Sequence, residues 1–178
     1  MDSTTYFFDL LKTILPALIV AGAIYLLFRQ HLEKEQQRRL IELRLDTNKT
    51  TLPLRLQAYE RLTLFLERIS PNNILVRLSS AGQTATDYHR LLQNEIRAEF
   101  EHNLAQQLYI SPEAWAQVKQ AKEDVLTMVN RAFHGLSNPQ QLRGTELAKR
   151  ILENLMTDAA DPTAQALTVV KREAAGLF

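Results

Sequence analysis

A chain of 178 residues, 46% hydrophobic and 23% charged, has room for one ordinary hydrophobic core and one accessory segment, not for two domains. With no cysteine, disulfides, thiol catalysis and cysteine-ligated zinc or iron–sulfur centres are excluded. The net charge of +1 is uneven: residues 1–28 hold Asp2 and Asp9 against Lys12, residues 29–53 six basic against four acidic residues, and residues 54–178 fourteen of each, so the C-terminal bulk lacks the basic face that nucleic acid requires.

Thr13 to Phe28 reads TILPALIVAGAIYLLF, without a charge. Extended back to Phe7 the segment is about 33 Å long as a helix, enough for a hydrocarbon core of about 30 Å. Asp9 and Lys12, three apart, share a face and can pair near the boundary, where Tyr6, Phe7 and Phe8 also fit. Pro16, one turn in, kinks the helix or marks its first ordered turn. Ala17, Ala21 and Gly22 offer small residues for close helix packing. A cleaved leader is the rival reading, but the start is not basic and Arg29-Gln30-His31 is no cleavage-like sequence. A membrane anchor over 1–28 is expected. The basic residues Arg29, Lys34, Arg38, Arg39 and Arg44 all follow it, which sets the N-terminus outside and the rest in the cytoplasm.

Residues 29–52 read as a charged juxtamembrane stalk helix in contact with lipid headgroups, with Leu32, Leu40 and Leu43 as a partial seam for self-association. A polar break is expected at Asp46–Thr51. From 53 to 178 the pattern predicts a helical domain. A helix opens at Pro53 and ends at Ser70-Pro71, with Leu54, Ala58, Leu62, Phe65 and Ile69 on one face. Ile74 to Leu78 suggests one or two turns. Thr84 with Asp87 marks a capping box, and the helix it opens is expected to reach Tyr109, burying Tyr88, Leu92, Ile96, Phe100, Leu104 and Leu108. Ser111-Pro112-Glu113 opens the next, with Trp115, Val118, Ala121, Val125, Met128 and Ala132 inward and Gly135 as its stop. Further helices are expected over Gly144 to Thr157 and after Asp161-Pro162. The fold class is all-α: a transmembrane helix continuing into a stalk, then a cytoplasmic antiparallel bundle of about four main helices.

Two blocks, Thr51 to Pro71 (TLPLRLQAYERLTLFLERISP) and Glu99 to Trp115 (EFEHNLAQQLYISPEAW), together with the N-terminal span, resemble a family of small single-pass membrane proteins of unknown function from Bacteroidota-type bacteria. The resemblance implies a bacterial inner-membrane protein with a cytoplasmic helical domain, and it transfers no catalytic residue.

Glu95, Glu99 and His102, spaced by four and three, share one helix face, and Glu99 to His102 matches the Glu-x-x-His of bundle di-iron sites. The second copy that such a site needs is missing: Phe28, Thr86 and Arg131 stand three residues before His31, His89 and His134. These three residues are therefore weak metal candidates, and an ion-paired polar face, with Tyr59, Glu60, Arg61 and Arg68 as partners, is the expected alternative. Tyr109 and Trp115 are read as core, and Asn103, Gln106 and Gln107 as a polar run that bonds backbone or faces water. No phosphate loop or nucleophile elbow occurs. The expectation is no enzyme and no cofactor, but a membrane-tethered adaptor or accessory subunit with lipid and a protein as partners. The alternatives are a metal- or ligand-binding enzyme using the Glu95/Glu99/His102 face, and a homo-oligomer joined through stalk or span.

Overall fold

The computed structural model describes residues 49–157 and 161–177, together with Ile14, Val20, Ala21, Gly22, Tyr25, Leu26, Phe28 and Arg29. The chain divides into two compact units, Met1–Thr50 and Thr51–Phe178. In the first, the described residues are helical, and Ile14, Val20, Tyr25, Leu26 and Phe28 are exposed. Among the described residues no helix is long and apolar enough to cross a membrane. The expected span and stalk, including Phe7, Pro16, Lys34, Arg38, Arg39 and Arg44, lie for the most part outside the described residues.

The second unit is all-helical. We label the helix over 51–69 α1. It is followed by α2 (Pro71–Arg77), α3 (Ala85–His102), a 3-10 turn (Leu104–Leu108), α4 (Pro112–His134), α5 (Gly144–Thr157) and α6 (Ala164–Ala175). Five of these six α-helices are long, where about four were expected. Lys49 to Thr51 are already helical, so Pro53 lies inside the helix instead of opening it. Its fixed φ suits a helix, and one backbone donor is lost. Ser70-Pro71 does more than end α1. Ser70 Oγ donates to Glu67 O at 3.0 Å, and Pro71 occupies the first turn of α2.

α4 is the central helix. It packs on α3, α5 and α6, and nine of its residues are buried, including all six on the predicted inner face. Its start follows the sequence: Ser111 Oγ accepts from Ala114 N at 3.0 Å, with Pro112 and Glu113 behind it. The core is completed by Ala58, Leu62, Phe65, Leu66 and Ile69 of α1, Tyr88, Leu92 and Ile96 of α3, Leu147 and Ile151 of α5, and Val170 of α6. Phe65, Phe100 and Trp115 form an aromatic row, with centroids 5.9 and 5.4 Å apart.

The Thr84–Asp87 cap closes in both directions: Asp87 N donates to Thr84 Oγ1 at 3.1 Å, and Thr84 Oγ1 to Asp87 Oδ2 at 2.8 Å. The Thr84 hydroxyl, and then Arg90, hold the Asp87 carboxyl below its ordinary range. The starts of α3 and α5 are clasped by Ala85 N to Leu142 O at 2.8 Å and Gly144 N to Gln83 O at 2.9 Å. Burial pushes the Tyr88 phenol up, and its hydroxyl donates to Leu78 O at 3.0 Å.

Candidate functional site

α1 and α3 run antiparallel side by side, as Phe65 against Phe100 and Arg68 against Glu99 show. Between them lies an open groove of about 650 Å³. Its α1 wall is Gln57, Glu60, Arg61, Leu64 and Arg68, a helical repeat of three and four residues. Its α3 wall is Glu95, Ala98, Glu99 and His102, with Phe65 beneath. The three sequence candidates therefore do line one concavity, and Glu60 joins them there.

Their chemistry is that of an ion-paired wall. Arg68 Nη2 lies 2.9 Å from Glu99 Oε1. Arg77, from α2, pairs with Glu95 and reaches Glu99 at 3.6 Å. His102 Nδ1 is 2.8 Å from Ala98 O and donates to it, which leaves Nε2 as an acceptor in the neutral ring. Among the described residues no group of three or more His, Asp or Glu side chains is placed to hold a metal ion. The physical reason at this face is that the arginines already occupy the two carboxylates, and the facing helix brings bases where a metal site needs acids. Of the expected pairing residues on α1, Arg68 takes that role. Among the described residues Glu60 and Arg61 have no ion-pair partner, and Tyr59 is turned into the core.

Tyr59 belongs to a second polar node. Arg55 Nη2 donates to its hydroxyl at 3.2 Å, and Arg55 Nε to Tyr109 O at 3.1 Å. Burial is the main cause that pushes the Tyr59 phenol up; the Arg55 bond opposes it and Glu173 adds to it. Glu173 of α6 accepts from Ser111 N and Ser111 Oγ, both at 3.0 Å, so a carboxylate sits on the positive end of α4. Neither Arg77 nor Glu173 was found from sequence. Each meets its partner across a tertiary contact that no local spacing announces, although Ser111 itself was recognised as a cap.

Beside this node the structure departs from expectation. α3 stops at His102, because Asn103, which is buried, turns its side chain back to Glu99 O at 2.8 Å, and a 3-10 turn follows. The change of period rotates Leu104, Leu108 and Tyr109 out of the core: all three are exposed, Leu108 to 78%. Tyr109 is thus a surface residue, while Trp115 is core as expected. Arg29, Gly22 and Phe28 of the N-terminal set are helical, in the separate unit.

No curated protein and no solved structure matches the chain. A family does match it, along almost the whole length and including both blocks singled out above. The chain belongs to the family of unknown function DUF7935, which spans its residues 5–177.

Proposed function

We propose that this chain is a membrane-tethered helical adaptor of a bacterial inner membrane, without enzymatic activity. Its N-terminal segment anchors it, with the C-terminal domain cytoplasmic, and the domain docks a protein partner at the Leu104–Tyr109 turn. The observation that carries the reading is that turn: two leucines and a tyrosine exposed within six residues, where the other exposed large apolar side chains among the described residues of the domain, Leu54, Leu64, Val76, Leu152 and Met156, are spread over three helices. Apolar surface of this kind, held by a defined backbone, is what a partner's apolar residues cover. The tether is supported by the uncharged run 13–28, by the basic residues that follow it, and by the exposed apolar side chains among its described residues.

Two variants test the two halves. Val20→Asp with Leu26→Asp is expected to move the chain from a carbonate-resistant membrane fraction to the soluble fraction, since each acid near the middle of a span costs about 2.5–3.5 kcal/mol. Wild-type protein that carbonate already extracts sinks the tether. Leu108→Asp is expected to abolish the partner recovered by crosslinking in native membranes. It should leave thermal unfolding within about 0.5 kcal/mol of wild type, because that side chain packs on little. Undiminished recovery of the same partner sinks the docking site.

A further inference from the structure

The Leu104–Tyr109 turn is held without help from the core. No residue of its 3-10 segment is buried, and a 3-10 helix this short has little stability of its own. The buried residues stand on either side of it, Asn103 and Ile110, each 8% exposed. Its entry is fixed by the bond of Asn103 to Glu99 O. Its exit is fixed from two other helices. Glu173 of α6 accepts from Ser111 N and Oγ, two residues past Tyr109. Arg55 of α1 donates through Nε to Tyr109 O at 3.1 Å. Of these three anchors, only Arg55 reaches from another helix onto the turn itself.

Arg55 stands one helical turn after Thr51, where the chain enters the domain. Thr51, Arg55, Leu108 and Tyr109 line one concavity of about 500 Å³, so the start of α1 and the turn are neighbours. The guanidinium is itself oriented: Nη2 donates to the Tyr59 hydroxyl at 3.2 Å, and Tyr59 is 2% exposed. A planar fork with one arm on a core phenol and another on a carbonyl has little freedom left. That orientation lasts only while this part of α1 is helical, because residues four apart share a face in a helix and not in an extended chain. Unwinding the first turn of α1 therefore withdraws the donor from Tyr109 O.

We propose that Arg55 is the positioning residue of the docking turn, and that through it the order of Leu104–Tyr109 depends on the helicity of the first turn of α1. One side chain thereby couples two places: the point where the N-terminal segment enters the domain, and the surface offered to a partner. A partner that needs the ordered turn binds more weakly in proportion to the fraction of molecules whose turn is loose. That consequence rests on the docking role given to the turn above; the coupling is a property of the domain alone.

Hydrogen exchange on the full-length protein in lipid bilayers, sampled from milliseconds and read by mass spectrometry, tests the coupling. The reporter is the peptide containing Gln106 and Tyr109, whose amides donate to Asn103 O and Gln106 O, both at 3.0 Å. Arg55→Ala is expected to speed exchange there about tenfold, the worth of a hydrogen bond from a charged donor, and to leave α4 unchanged. Leu54→Gly, at a side chain 42% exposed, loosens the first turn of α1. It is expected to speed the same peptide about fivefold with Arg55 present, and to add nothing in the Arg55→Ala background. Unchanged exchange in Arg55→Ala overturns the proposal. So does a Leu54→Gly effect of equal size in both backgrounds, or a rise in α4 as large as that in the turn. Recovery of the partner in Leu108→Asp is a separate result: the docking site falls by that measurement while the coupling stands, and the coupling falls by exchange whatever the partner does.

Discussion

Phe65→Ala is expected to lower the unfolding free energy of the helical domain by about 3–5 kcal/mol. The ring is 1% exposed, and it fills the space between α1 and the aromatic row of Phe100 and Trp115. Truncation removes the transfer energy of the ring and leaves a cavity. The walls are helices pinned elsewhere, by Arg68 to Glu99 and by Glu173 to Ser111, and they cannot close on it. Domains of this size have about 5–15 kcal/mol in total, so the loss is a large part of the whole. Urea unfolding followed by fluorescence reads it, because Trp115 is the single tryptophan and stacks on Phe100. A loss below about 1 kcal/mol would mean that α1 is not an integral wall of the core.

Gly144→Val is expected to rank next, at about 3 kcal/mol, and Gly144→Ala decides between two opposed effects. Alanine is favoured over glycine within a helix by about 1 kcal/mol. Against this, a Cβ at Gly144 would stand 2.8 Å from Ser80 O and 3.1 Å from Tyr88 Cβ. The oxygen is backbone, and Gly144 N is itself fixed on Gln83 O, so neither side yields cheaply. The contact outweighs the propensity, and alanine destabilises by about 1–2 kcal/mol. A raised melting temperature for Gly144→Ala would show that the α3–α5 clasp is looser than these distances state.

The elements that were legible in the sequence are those with local signals. Ser111-Pro112-Glu113 fixes the start of α4, Gly144 to Thr157 is bounded as expected, and the four-residue recurrence through Tyr88, Leu92 and Ile96 gives the inner face of α3. The same recurrence misleads at Leu104 and Leu108. Asn103 bonds back to its own helix and changes the period, and a residue that competes for backbone bonds is not visible to a count of leucines. Ser70-Pro71 reads equally well as a stop and as a start, and here it is both. At the groove, the shared face of Glu95, Glu99 and His102 was readable from spacing. The arrival of Arg77, from a helix of seven residues, depends on how α2 folds back, which spacing does not encode.

The contacts of α6 bear on when the domain can finish folding. Lys171 meets Glu67 of α1, and Glu173 caps α4 through Ser111, so the last helix made joins the first helix of the domain and its central one. A ribosome adding about 5–20 residues per second needs roughly 5–20 s to go from the end of α1 to the end of α6. A helical bundle folds in far less time than that once its parts are present. During synthesis, therefore, the apolar face of α1 with Leu62 and Phe65 stands without its last covering helix for seconds, and the pace of translation sets how long the nascent chain is open to chaperones and to its neighbours.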